Sequence, residues 1–293
     1  MKTRKGLAAL ILAANMPDLD VFTQWAPWTP LATHRGFTHS LIGGVLLMPP
    51  ILAALLLLLD RWQMRRGTKF KSGLAMHSGW LLALCYIGAV THPLLDLQTT
   101  YSVQLFSPVS GRWYHSDSLF IIDAWLWLTV GGAIAWSKAR KSPGPVRAAL
   151  ILAVGYICFN LGLSDTAAAT VRVRDPRASA IFASPPPLKF WERDMAWRHG
   201  DGVSRAKWTF LGGLGRSRPR VPDNMADPIV RQAIRGNPAL RKFLGWSILP
   251  VAAVERHGCA ARVTIADARY GLPTDKGLHL AREADVALCK PTP

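Results

Sequence analysis

Apolar residues gather into five runs, at 6–15, 41–59, 74–90, 119–136 and 146–163, and thin out after residue 165. The first run is too short to cross a bilayer alone. The other four have roughly the 17–25 residues that a spanning helix needs. Pro49-Pro50 falls inside the second run and predicts a kink or break there. Trp80, Trp125, Trp127 and Trp136 stand where an interfacial aromatic belt would stand. The first run follows a basic start (Lys2, Arg4, Lys5) but leads straight into Asn15-Met16-Pro17-Asp18, without a small-residue cleavage site. It reads as a retained segment, not a signal peptide.

The polar connections differ in charge. Segment 60–73 holds Arg61, Arg65, Arg66, Lys69 and Lys71, and segment 137–147 holds Lys138, Arg140, Lys141 and Arg147. The positive-inside rule puts both in the cytoplasm. Segments 15–40 and 91–118 hold only Arg35 and Arg112, and so face outward. Beyond residue 165 the pattern changes. Segment 172–242 is rich in Arg, Pro and Trp, with Pro185-Pro186-Pro187 as a stiff stretch, and 243–270 alternates well enough to form strands. The expected fold class is mainly α: a polytopic helical membrane domain over 1–164 and a smaller soluble α+β domain over 165–293. The second follows an outward-going helix, so it is expected on the extracytoplasmic side of an inner-type membrane.

Composition changes this picture little. The chain has 293 residues, half of them hydrophobic, and a formal net charge of +17. Such a charge on a soluble protein would point to nucleic acid. Here the basic residues flank apolar runs, which fits membrane topology and attraction to lipid headgroups, and makes nucleic acid an unlikely partner. Of four cysteines, Cys85 and Cys158 lie inside apolar runs as small buried side chains. Cys259 and Cys289 could pair if the tail lies outside the cytoplasm.

The chemistry is concentrated in the two outward segments. The first carries Asp18-Leu19-Asp20 and His34-Arg35-Gly36-Phe37-Thr38-His39-Ser40; the second carries His92-Pro93-Leu94-Leu95-Asp96 and Asp117, with Asp123 beyond it in the fourth apolar run. Charged groups at a membrane boundary cost about 2.5–3.5 kcal/mol at the bilayer centre on insertion scales, and persist when paired or metal-bound. His92 and Asp96, four apart, share a face if the helix continues, although Pro93 would also suit the first turn of a new one. Asp18 and Asp20, two apart, point the same way in an extended segment. The five-residue spacing of His34 and His39 across Gly36 suits a turn. Imidazole plus carboxylate suits zinc, manganese or iron, and a two-metal site would suit phosphoester hydrolysis. Blander readings exist: Asp18 as a turn residue after Pro17, His39 as a structural histidine, Asp123 as an isolated intramembrane hydrogen-bond partner, and Asp117 as the cap of the fourth helix. Three histidines and several aspartates at one face outweigh them.

These motifs resemble the inner-membrane metal-dependent hydrolase family, the YdjM-like group, over about residues 7–163. Its members show a Pro-Asp-hydrophobic-Asp motif, here Pro17 to Asp20, then HRGxTHS, here His34 to Ser40, then an H-x-x-x-D step, here His92 to Asp96, then a later Asp, here Asp123. The resemblance implies hydrolase activity and a divalent metal, zinc or manganese foremost, held by Asp18, Asp20, His34, His39, His92, Asp96 and Asp123. In that reading His34 is a further ligand or a proton donor, Arg35 binds an anionic group of the substrate, and Asp123 binds metal or holds a ligand histidine. Members ordinarily carry a Thr-His pair ahead of a short apolar segment. None precedes Met1-Lys2-Thr3, which implies a start further upstream. The H-x-x-x-D step is also similar to that of zinc-dependent phospholipase C, which implies phosphoester or lipid-headgroup substrates. Two rival readings are a metal-binding membrane scaffold and a transporter. A transporter would spread its ionisable residues along a path through the membrane, whereas these gather at one face.

Overall fold

The structure is a computed structural model that describes residues 2–70, 72–275 and 280–289; Lys71 lies outside them. The chain divides into two compact units, Met1–Ser116 and Asp117–Pro293.

The first unit is helical. Helix α1 (Gly6–Asn15) leads into a 3-10 turn at Pro17–Phe22, a one-turn helix α2 (Thr29–Ala32) and a tight turn at Phe37–His39. A widened π-helical segment, Leu41–Leu47, then runs straight into α3 (Met48–Arg65), and α4 spans Ser78–Asp96. The core is built from Ala9 and Ala13 of α1, Leu52, Ala53 and Leu56 of α3, and Leu81, Cys85 and Ala89 of α4. Small residues let α1 and α4 approach closely: a Cβ on Gly88 would sit 2.5 Å from the Leu10 carbonyl oxygen. At one end of the unit Arg4 grips Asp60 through two bonds of 2.8 and 2.6 Å. The other end carries the site.

The expected break at Pro49-Pro50 is a change of winding. The prolines occupy the first turn of α3, where a missing N–H costs little, and the wider turns lie just before them. Ser40 Oγ caps that segment by accepting from the Gly43 N–H at 2.9 Å. A Cβ on Gly43 would lie 2.1 Å from the Phe37 carbonyl oxygen, so the turn that carries His39 rests directly on the glycines.

The second unit begins with a hairpin of α5 (Ala124–Arg140) and α6 (Gly144–Arg174). Strands β1 (Ser179–Ser184), β2 (Glu192–His199), β3 (Gly202–Thr209) and β4 (Gly213–Leu214) form an antiparallel sheet in that order, with β5 (Val221–Pro222) also pairing with β3. Helices α7 (Pro228–Gly236) and α8 (Pro238–Trp246) precede a second antiparallel sheet of β6 (Pro250–His257), β7 (Ala260–Asp267) and β8 (Ala281–Ala287). Leu163, Ala167 and Val171 of α6 pack on Met195, Trp197 and Trp208 of the first sheet. The end of the apolar run predicts a boundary at 164/165. The helix continues through it to Arg174 without a break, because its last turns have a sheet to cover.

Among the described residues, three helical stretches are long and apolar enough to cross a membrane: Leu41–Arg65, Ser78–Asp96 and Gly144–Arg174. The fourth expected span, α5, has 17 residues. It starts at Ala124, because residues 119–123 belong to the preceding loop despite Leu119, Ile121 and Ile122. Asp123, not Asp117, caps it, accepting from the Leu126 N–H at 3.0 Å. Asp117 instead accepts from the Ala183 N–H at 2.8 Å.

Candidate metal centre

The site lies entirely within the first unit and is assembled from the end of α1, the two turns after it and the last turns of α4. Helix α4 continues through Pro93, so His92 and Asp96 share a face, with His92 Nε2 3.5 Å from Asp96 Oδ2. The Pro17–Phe22 segment is a 3-10 turn, where an extended one was expected, yet both its acids reach the cluster. Asp18 Oδ1 lies 3.3 Å from His39 Nε2 and 3.4 Å from His92 Nε2. Asp96 Oδ2 lies 3.3 Å from His39 Nε2.

Asp20 is fully buried and organises the turn around it. Its carboxylate accepts from the Arg35 N–H at 2.9 Å and the Thr38 hydroxyl at 3.0 Å, and meets His34 Nδ1 at 2.7 Å and His39 Nδ1 at 3.2 Å. Four residues of the HRGFTH run thus converge on one side chain. Gly36 sits among them because a Cβ there would meet the Pro30 and Thr33 carbonyl oxygens at 2.6 and 2.7 Å. With Nδ1 of His39 facing Asp20 and Thr38, Nε2 faces the cluster. His92 is fixed in the same sense: its Nδ1 donates to the Ala14 carbonyl at 2.6 Å, leaving Nε2 for the centre.

Arg35 holds the other side. Its guanidinium pairs with Asp96 Oδ1 at 3.0 Å, donates to Thr99 Oγ1 at 2.8 Å and lies over the Tyr101 ring at 4.6 Å. Its backbone is left-handed, with φ 60°, and is pinned by the Gln104 N–H donating to its carbonyl at 3.0 Å. The contacts to Thr99, Tyr101 and the Ala14 carbonyl have no sign in the sequence, since none belongs to a recognisable spacing.

The electrostatics are those of a cation site. Contact with the His39 and His92 rings holds the Asp18 carboxyl well below the usual carboxylate range. Burial opposes the charge on Asp20, but bonds from His34 and His39 outweigh it and lower its pKa as well. Burial likewise opposes a charged His39, and the facing Asp18 and Asp20 carboxylates more than compensate, raising it.

The donor set fits a divalent ion. His39 Nε2 and Asp96 Oδ2 are buried and have no hydrogen-bond partner among the described residues, although they face each other. Buried polar atoms left in this way are costly unless something else satisfies them. Of the four ring-to-carboxylate separations, three, at 3.3, 3.3 and 3.4 Å, match the roughly 3.3–3.4 Å edge implied by ligand bonds of about 2.0–2.1 Å in a tetrahedral site, and the fourth, His92 to Asp96, is slightly longer at 3.5 Å. Among the described residues, two His/Asp sets lie close enough to hold one ion: Asp18, His39 and His92, and Asp18, Asp20 and His34. Asp18 is common to both. Asp96 and Asp123 are in neither set: Asp96 Oδ2 nevertheless faces His39 and His92 Nε2, whereas Asp123 Oδ1 caps α5 and its Oδ2 accepts from the Tyr156 hydroxyl at 3.1 Å.

Apolar helices of spanning length and a partly buried His/Asp cluster at the end of two of them define an integral membrane protein with a candidate metal centre. The chain belongs to the YdjM inner membrane protein family, which matches residues 1–166 and so contains the whole cluster. It is also similar to the Uncharacterized protein YfhP of Bacillus subtilis (strain 168), with 28% identity over 268 residues that cover 90% of this chain and 77% of that protein. No solved structure matches it.

Proposed function

We propose that this protein is a membrane-bound, metal-dependent hydrolase of phosphoesters that uses zinc or manganese. The observation that carries the reading is the pair of buried atoms left without a partner among the described residues, His39 Nε2 and Asp96 Oδ2, set with Asp18 and His92 at ion-ligand spacing. Asp18, His39, His92 and Asp96 would hold the ion. When bound, it supplies Lewis acidity that brings a water's pKa to near 7.

The chain's own residues divide the remaining work. Asp20 and the Ala14 carbonyl keep the His39 and His92 rings turned inward, and Arg35 keeps Asp96 turned toward them. His34, partly exposed and bonded through Nδ1 to Asp20, is placed to give a proton to the leaving group. In the reaction a water oxygen joins phosphorus and releases its proton to a cluster carboxylate. The ester P–O bond breaks, and the departing oxygen takes its proton from His34. An orientation with the site and the C-terminal unit outside the cytoplasm is supported by the basic residues of 60–73 and 137–147. The disulfide between Cys259 and Cys289 supports it too, since such bonds persist in oxidising compartments.

The test is the metal content of the detergent-purified full chain, by elemental mass spectrometry, beside His39→Ala and Asp96→Ala, followed by a phosphoester screen. Stoichiometric zinc or manganese in the wild type, lost in both variants, with phosphoester turnover, is expected. Metal retained by both variants would refute the ligand assignment. Metal without turnover on any phosphoester would leave a metal-binding scaffold or transporter instead.

A further inference from the structure

The loop that supplies Asp18 and Asp20 has a second face. Within the 3-10 turn Asp20 is fully buried, while Leu19, Val21 and Phe22 are exposed, and Trp25 and Trp28 continue the apolar surface. Trp25 is 83% exposed. Its indole N–H is already satisfied by the Phe22 carbonyl at 2.8 Å, so the ring presents only apolar surface outward. Trp28 packs edge-on against Phe37 at 5.0 Å, which ties this surface to the turn carrying Thr38 and His39. No Lys or Arg occurs between Lys5 and Arg35.

We infer that segment 19–28 is an interfacial insertion loop that seats the metal centre in the bilayer surface, so that its substrate is a lipid-borne phosphoester drawn from the membrane. The occupant of the apolar face is the bilayer, because the loop is continuous with the lipid-facing surface. It is rooted at the end of α1, the site turn runs into the Leu41–Arg65 span, and the Ser78–Asp96 span ends on Asp96 of the same cluster. A loop so rooted lies at headgroup depth, where exposed Trp and Phe are favoured and the absence of basic residues removes the cost of carrying charge inward. Asp20 does not oppose insertion, since it is fully buried against His34 and His39, and Asp18, half-exposed, lies before segment 19–28 and faces His39 and His92. The choice of phosphoester rests on the function proposed above; the insertion of the loop does not.

The experiment uses the full chain in phosphatidylcholine/phosphatidylglycerol vesicles, with Cys158, the exposed free cysteine, replaced by serine. A nitroxide is attached at Trp25→Cys and, as a control in the exposed turn after α3, at Thr68→Cys. Position 25 is expected to be reached by oxygen and protected from a water-soluble nickel chelate, with position 68 the reverse. Equal nickel accessibility at both positions would overturn the insertion. Hydrolysis is then compared between vesicle phosphatidylglycerol and the soluble bis(p-nitrophenyl) phosphate, in the wild type and in Phe22→Ser/Trp25→Ser. The double variant is expected to lose about tenfold on the lipid and to keep its rate on the soluble ester. Equal losses on both would overturn the lipid-source assignment. A membrane-inserted label with no wild-type turnover of either ester would uphold the loop and refute the hydrolase reading.

Discussion

Asp20 touches more of the motif than any other side chain, and its replacement by asparagine separates a ligand from a residue that positions ligands. Its carboxylate takes up donors from His34, Arg35, Thr38 and His39 at 2.7–3.2 Å, and it is fully buried. Asparagine keeps the shape but turns an amide NH2 toward at least one of these donors. One buried donor left unpaired costs about 1–3 kcal/mol. The carboxylate behind the His39 ring is lost as well, and changes of that kind typically lower metal affinity about 10–100-fold. Asp20→Asn should therefore still bind one equivalent of zinc, with an affinity reduced by that factor in competition against a chromogenic chelator. Asp18→Asn, which removes an oxygen facing both histidines, should abolish stoichiometric binding. If Asp20→Asn abolished binding as completely as Asp18→Asn, Asp20 would be a ligand, and the Asp18–Asp20–His34 set would be the occupied one. An unchanged affinity would refute the positioning role.

Two further predictions concern the whole molecule. The contribution of His39, whose pKa is raised, is complete below its unfolded value of about 6.5 and is lost as pH rises through the folded value. That of Asp18 and Asp20, whose pKa values are lowered, is complete above about 4 and is lost as pH falls. Thermal unfolding in chelator should thus show greatest stability between about pH 4 and 6.5. Saturating zinc should shift that optimum upward, because the ion and the ring proton compete; an optimum unmoved by zinc would contradict this. Separately, the disulfide joins cysteines 30 residues apart, for which loop-closure entropy predicts a loss of about 3–4 kcal/mol in Cys259→Ser. Denaturant unfolding measures that loss, and maleimide labelling of Cys259 in the native membrane without reductant would contradict the extracytoplasmic placement.

The helical unit was legible because a membrane imposes one-dimensional rules. Runs at 41–59 and 74–90 became the spans Leu41–Arg65 and Ser78–Asp96 with only their ends shifted. The His/Asp clusters were legible as a set, and the i, i+4 pairing of His92 and Asp96 emerged with a spacing that helix geometry requires. What did not show was how the residues are shared out. Arg35 and Asp96 are 61 positions apart, and nothing periodic links them. The Ala14 carbonyl that orients His92 is a backbone atom, indifferent to the residue that bears it. In the second unit, strands β1 to β5 were hidden by their own composition. Arg193 is fully buried in β2, bonded to Ser164, Asn160 and backbone carbonyls, so an arginine that reads as surface is part of the interior.

Charge balance gives a separate reason to expect a divalent ion. Asp18, Asp20 and Asp96 bring three negative charges and Arg35 one positive, leaving two negative charges when the three rings are neutral. Asp18 is half-exposed, but Asp20 and Asp96 are buried, and buried carboxylate charge is expensive unless protonation or metal offsets it. Protonating His39 takes away one charge and protonating His92 a second, so two protons and one divalent ion are electrically equivalent occupants. The two protons would serve one carboxylate each, His39 facing Asp96 and His92 facing Asp18, whereas one ion would take both rings and both carboxylates at once. A second ion on the Asp18–Asp20–His34 side would turn the balance to two positive charges. A site in that state would favour an anionic ester, which is the condition under which a phosphodiester at the membrane surface would bind best.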